Sequence, residues 1–316
     1  MQQGLTFGAR ACSRVTPVLQ ILTMNDAPIR LVPGARRDDL RHVLWEEEAN
    51  IGSVQGGGHK PLARYLKYME WANLASRRLR PLIAQEAIDR LVLTKMYWTL
   101  QTMAPTPELK VVTDLVDTEI TNRVFALREE KEVIDRMAKR WGSVGAIALP
   151  DSSFYLHHPS KMEEWDLAPT LGMREEPLVV LIPMVVIDEL DRLKESKIND
   201  VRWRAGYALA VIDRVVGEKV EVGVLKSENL VPEDGKSKPR GVVELEILFD
   251  PPGHFRLPIE DDEIVDRGLA IQGLAERPVT LLTYDTGQST RARRAGLKAH
   301  RFRQSEETGG DWAIGE

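Results

Sequence analysis

The 316-residue chain has one cysteine, Cys12, so it can close no internal disulfide and offers no thiolate cluster for zinc. No apolar run approaches the roughly 18 residues of a membrane span, which sets a membrane partner aside. There is no glycine-rich phosphate loop of the P-loop or dinucleotide type, which argues against nucleotide-driven motors and dehydrogenases. Internal repeats are absent as well. With 43% hydrophobic and 29% charged residues the composition is that of an ordinary globular chain, and a cytoplasmic location is expected. Residues 1–30 carry little pattern; the apolar piece Val18 to Leu22 is too short and broken for a signal peptide, and Met24 stands as an alternative start.

Neither sign of charge dominates, yet the net −5 is unevenly divided. Residues 1–145 hold 21 Lys and Arg against 17 acids, residues 146–304 hold 22 against 27, and residues 305–316, expected to be a flexible acidic tail, hold four acids. Overall charge gives no support for a nucleic-acid role, so an RNA partner would have to be met by local basic patches.

From Arg36 to Trp141 the pattern is helical, predicting a small all-α bundle over residues 31–144. Pro61 and Pro81 sit as first-turn prolines, the first opening a helix through Trp71, the second one through Ile83, Ile88, Leu91 and Met96. After Pro105 and Pro107, Val112 to Met137 repeat apolar residues at spacings of three and four. The segment Gly52 to Gly58 reads as a loop by composition. Beyond Gly145, strands (145–150, 178–182, 279–283, 297–302) and helices (184–196, 200–216, 287–295) alternate, predicting an α/β domain over 145–304. Val220 to Leu225 and Val242 to Phe249, joined by a turn-rich stretch, suggest a β-hairpin inserted at the sheet edge within 218–257.

Four acids, Asp151, Glu189, Asp261 and Asp285, follow apolar runs or stand at element boundaries of that domain. In a parallel sheet, function gathers at the strands' carboxyl ends. Carboxylates crowded there raise one another's pKa and oppose folding unless a cation joins them, so the economical reading is a Mg²⁺ or Mn²⁺ site. Taken singly, Asp151 and Asp285 read more readily as helix N-caps than as ligands, and Glu189 as an acid favouring a helix's positive end.

Four segments carry a family resemblance in the right order: IALPDSSFYLHHP, VVLIPMVVIDELDRLKES, IEDDEIVDRGLAI and VTLLTYDTGQSTRARRAGL. Together they make residues 146–304 resemble the PIN-domain ribonucleases. The resemblance implies a three-layer α/β/α domain with a mostly parallel sheet, metal ligands at Asp151, Glu189, Asp261 and Asp285, and Thr283 as a supporting hydroxyl. It implies a Mg²⁺- or Mn²⁺-dependent endoribonuclease acting on single-stranded RNA through a metal-activated water. Two departures matter. The family's first motif usually ends in an amide, where this chain has Ser153, a hydroxyl expected to be more weakly placed; and Asp262 competes with Asp261 for the third position.

Substrate contacts are expected from Arg202 and Arg204 after Glu189, and from Arg291, Arg293 and Arg294 in a run that continues through Lys298, Arg301 and Arg303. In the bundle, Arg64, Lys67, Arg77, Arg78 and Arg80 beside Tyr65, Tyr68 and Trp71 suit either RNA or a protein partner, although the aromatics read more readily as core. His157 and His158 lack the further ligands that zinc needs. A phosphatase of the haloacid-dehalogenase type would want an Asp at position 153, where Ser stands. A PIN-like RNA-binding or scaffold protein without catalysis remains the alternative, and because proteins of this kind often pair, a homodimer is a further expectation.

Overall fold

The structure, a computed structural model, describes residues 29–56, 60–103, 110–173, 175–217, 222–231, 239–250 and 254–303. The unpatterned residues up to 28 and the acidic tail lie outside the described residues, as do residues 232–238 of the expected hairpin turn.

The N-terminal region is helical throughout: α1 (Arg37–Gly56), α2 (Pro61–Leu79), α3 (Gln85–Leu91), α4 (Lys95–Thr102) and α5 (Lys110–Gly142). At 1.5 Å per residue α5 is a rod about 50 Å long. It buries Val112, Val116, Ile120, Leu127, Ile134 and Trp141, one stripe against which α1, α2 and α4 pack. Charges on its flanks are paired with other helices, Arg64 with Asp117 at 2.6 Å and Arg90 with Glu130 at 2.7 Å. Tyr65, Tyr68 and Trp71 are buried, so they are core rather than a stacking platform.

Two expectations fail here. Gly52 to Gly56 belong to α1 rather than to a loop, because Ile51 and Val54 are buried and that burial outweighs the roughly 1 kcal/mol a helical glycine costs. Residues 57–58 of the same segment lie outside the described residues. Pro81 opens no helix; Leu82 and Ile83 donate back to the Leu79 carbonyl in a turn that closes α2. The helix expected through Met96 is therefore split, and its second half restarts at Thr94, whose hydroxyl accepts from Tyr97 N and caps α4.

Past Gly142 the chain enters the sheet: β1 (Ala146–Pro150), α6 (Ser152–His157), α7 (Ala168–Leu171), β2 (Leu178–Pro183), α8 (Met184–Leu193), α9 (Asn199–Val216), β3 (Val222–Lys226), β4 (Val243–Leu248), α10 (Glu260–Ala275), β5 (Val279–Thr283), α11 (Thr286–Ala295) and β6 (Lys298–Arg301). Among the described residues six strands lie in the order β3-β4-β2-β1-β5-β6, parallel except for β3 against β4. All six residues of β2 are buried, as expected of an inner parallel strand covered on both faces. The β3/β4 pair sits at the expected edge, but β4 is itself a parallel rung beside β2 and only β3 is antiparallel. Packing between the sheet and the helical region is continuous, one buried cluster running from Leu40 and Leu44 to Leu281 and Leu297.

The order of the strands locates the functional crevice. From β1 the sheet grows through β2 and β4 on one side and through β5 and β6 on the other. This is the topological switch point of an open α/β sheet, where the loops leaving two adjacent strands diverge and leave a cleft. Those loops begin with Asp151 after β1 and Tyr284–Asp285 after β5.

Candidate metal centre

Asp151 is almost fully buried and caps α6, its Oδ1 accepting from Phe154 N at 2.9 Å. Asp285 caps α11 in the same way, accepting from Gln288 N at 2.9 Å. Both caps are real, yet capping uses only one lone pair of each carboxylate. The Ser153 hydroxyl donates to Asp151 Oδ1 at 2.7 Å, and the Thr283 hydroxyl donates to Oδ2. In return Ser153 Oγ accepts from Tyr284 N at 2.9 Å and Thr283 Oγ accepts from Asp285 N at 2.8 Å. Two hydroxyls thus tie the end of β1 to the end of β5 with every proton committed. Ser153 is therefore firmly placed, contrary to the weaker position expected of a hydroxyl at that point.

Glu189 lies in the second turn of α8, in the helix expected from residue 184. It is half-buried and hydrogen-bonded by the Ser152 side chain. Asp261 stands in the first turn of α10, beside Glu260 and Asp262, where the helix's positive end favours acids. Electrostatics record how near these groups are. Burial pushes Asp151 up to about 6, with the charge of Asp261 adding to the rise. Asp261 is raised by burial and then by Asp285, and Glu189 by burial and then by Glu260 and Asp151. Asp261, not Asp262, is the acid that acts on Asp151; Asp262 accepts from Arg291 at 2.7 Å, and the same guanidinium reaches Asp261 at 3.7 Å.

The donor set fits a hard divalent cation. The four acids come from four different elements and are all oxygen donors, and burial makes Asp151, Glu189 and Asp261 costly to ionise while uncompensated. Arg291 marks where positive charge is wanted. They do not form a tight cage. Among the described residues, the trio of donors whose atoms all lie within 4.8 Å of one another is Asp250, His254 and Glu263, outside the four acids. Oxygen donors that do not close to a tight cage leave room for the waters that a hard divalent cation keeps.

The Asp250, His254 and Glu263 trio is better explained as a clasp. Glu263 is fully buried, accepting from His254 Nε2 at 2.7 Å and Leu257 N at 2.9 Å, while Asp250 accepts from Arg256 at 2.6 Å. The buried Arg267 guanidinium faces Glu263, Asp250 and Asp266, so the cations of this cluster are already present. The clasp holds residues 254–257 against the turn that presents Asp261. Glu263→Ala removes both acceptors and strands Arg267, and is expected to cost about 3–5 kcal/mol in urea unfolding; a loss under about 1 kcal/mol would refute the clasp.

Of the other expected residues, Arg202 donates to Ser196 O and Asn199, Arg204 to Asp200 and His158 O, and Arg293 to Ala299 O. Arg294 is exposed. Arg291 is the member of that set brought to the acids. Sequence reading missed Glu260 and Ser152, which local signals did offer: each is the immediate neighbour of a named acid. His157 closes α6 and His158 caps its C-terminal end, so they belong to a helix terminus rather than to a loop.

Compared with known proteins, residues 148–303 match the family model described as PIN domain. No curated protein and no solved structure matches the chain. That family typically uses a divalent metal, in keeping with the ring of acids at the switch point. From Ala148 to Arg303 this chain is a PIN domain, a nuclease-type fold, and it is preceded by a helical region.

Proposed function

We propose that the protein is a Mg²⁺- or Mn²⁺-dependent endoribonuclease that hydrolyses phosphodiester bonds in single-stranded RNA. The observation that carries this reading is Asp151, a buried carboxylate held through both oxygens and raised in pKa beside Asp261. Asp151, Glu189, Asp261 and Asp285 would hold the ion. A divalent cation supplies activation of a water and neutralisation of charge growing on the phosphodiester. Ser153 and Thr283 fix the rotamer of Asp151, and Ser152 orients Glu189. Arg291 lies against Asp261 and Asp262; released from Asp262 it offers a bidentate fork to a phosphate. The helical region is proposed to choose the RNA or a protein partner.

A scaffold reading has one observation in its favour, the Arg291 guanidinium on Asp262 and Asp261, which already supplies them with a cation. The deciding experiment offers a labelled mixed-sequence single-stranded RNA with Mn²⁺, with EDTA, and to the Asp151→Asn, Asp285→Asn double variant. Cutting that needs metal and disappears in the variant supports the nuclease. Equal inactivity of wild type and variant, with RNA still bound by both, rejects it in favour of the scaffold.

A further inference from the structure

Next to the acids, on the β5/β6 side, lies a cavity of about 370 Å³ whose walls are aromatic and cationic. It is lined by Tyr284, Phe302 and His157, by Arg301 and Arg303, and by Asp285 of the acid set. Resting on the nuclease reading, we propose that this cavity is a nucleotide subsite for single-stranded RNA: one base, neighbouring the phosphate at the acids, stacks on Tyr284, and Arg301 and Arg303 receive the phosphate beyond it.

The aromatic wall is built rather than incidental. Tyr284 and Phe302 lie stacked, centroids 5.4 Å apart at 26°, with the His157 ring edge-on to Tyr284 at 5.9 Å. Phe302 is set by a backbone bond from its N to Thr283 O at 2.9 Å, and the fully buried Phe154 backs it at 5.2 Å. Rigid, half-exposed rings of this kind offer a π-face to any base, which is how proteins grip single strands without reading sequence. His157 is held below its usual pKa by burial and by the charge of Arg204, so near neutral pH it presents an uncharged ring. Arg301 is steadied by Thr286 Oγ at 2.5 Å, and Arg303 is exposed.

The spacing along the chain makes the subsite part of the reaction centre. Tyr284 sits between Thr283, which donates to Asp151, and Asp285, so a base on its ring is one residue from a support of one acid and from another acid itself. The backbone N of Tyr284, not its side chain, serves Ser153, so replacing the ring leaves the acid support intact.

The test is fluorescence anisotropy with a labelled ten-residue mixed-sequence RNA in EDTA, which reads binding without cleavage. Tyr284→Ala is expected to weaken binding by roughly ten- to hundred-fold while Tyr284→Trp retains it. Arg303→Ala should lower the slope of log affinity against log salt by about one. Thermal unfolding of each variant, matching wild type, shows that the fold is kept. Binding by Tyr284→Ala within two-fold of wild type overturns the subsite, whether or not wild type cleaves RNA with Mn²⁺. Loss of binding in Tyr284→Ala, in a protein that never cleaves, keeps the subsite and rejects the nuclease. Displacement of the RNA by AMP as effectively as by unlabelled decamer would assign the cavity to a free nucleotide and overturn the RNA assignment.

Discussion

Asp151→Asn is expected to abolish the proposed metal-dependent cleavage and at the same time to raise the unfolding temperature of the protein in EDTA at pH 8. Both effects come from the same carboxylate. Burial pushes its pKa from 3.8 up to about 6 in the folded chain. Because the folded value is the higher one, the group favours folding fully only below about pH 4, and that contribution is lost as the pH rises through 6. At about 1.36 kcal/mol per pKa unit the ionised carboxylate costs on the order of 3 kcal/mol at pH 8. Asparagine removes that charge and still offers a carbonyl to Ser153 and Phe154 N. For a chain of this size, a gain of 1–3 kcal/mol amounts to several degrees by rough scaling. Mn²⁺ should reverse the ranking, since it stabilises only a chain that binds it. Its affinity should climb as the pH passes about 6 and the proton leaves Asp151. Melting curves at pH 5 and pH 8, with EDTA and with Mn²⁺, contain the whole comparison. A variant no more stable than wild type in EDTA, or equally stabilised by Mn²⁺, would remove the ion from Asp151.

Trp141→Ala is expected to destabilise the entire chain by about 3–5 kcal/mol, the range for emptying a buried tryptophan site. Trp141 closes α5 at 2% exposure and donates Nε1 to Glu246 Oε2 at 3.3 Å, while Arg140 bridges Glu244 at 2.8 Å and Glu246 at 3.1 Å. Burial raises the Glu246 carboxyl, so the loss of a donor there is felt in a poorly solvated place. Since one core cluster spans helices and sheet, urea unfolding should keep a single transition at lower midpoint. Trp141→Phe should recover most of the packing and none of the hydrogen bond. A midpoint for Trp141→Ala equal to wild type would mean that α5 and β4 are energetically independent.

Much of the sheet was legible because its strands are short apolar runs, and β1, β2 and β5 fall within a residue or so of their expected bounds. The acids at β1 and β5 were legible because they also cap helices, so two local signals coincide at Asp151 and Asp285. The helix α10 was hard to see. It buries Glu263, Asp266 and Arg267 along with Ile264 and Val265, so polar and apolar positions do not sort onto opposite faces. Asp266 is paired with Arg30, far back along the chain, and no local pattern announces such a partner. Arg202, Arg204 and Arg293, expected as substrate contacts, each donate to a carbonyl of this chain, a partner that the sequence does not announce. The nucleotide cavity escaped because Tyr284, His157 and Phe302 meet only through strand pairing.

The bond from Thr283 to Asp151 joins residues 132 apart, across the β1/β5 rung. During synthesis, β1, β2 and β4 can assemble while β5 has still to emerge, because chains fold from the N-terminal side as they are made. A growing chain therefore carries Asp151 and Glu189 without Asp285 or the second hydroxyl support. Until β5 is made, the acid set stays incomplete on a chain still in contact with its messenger and ribosome.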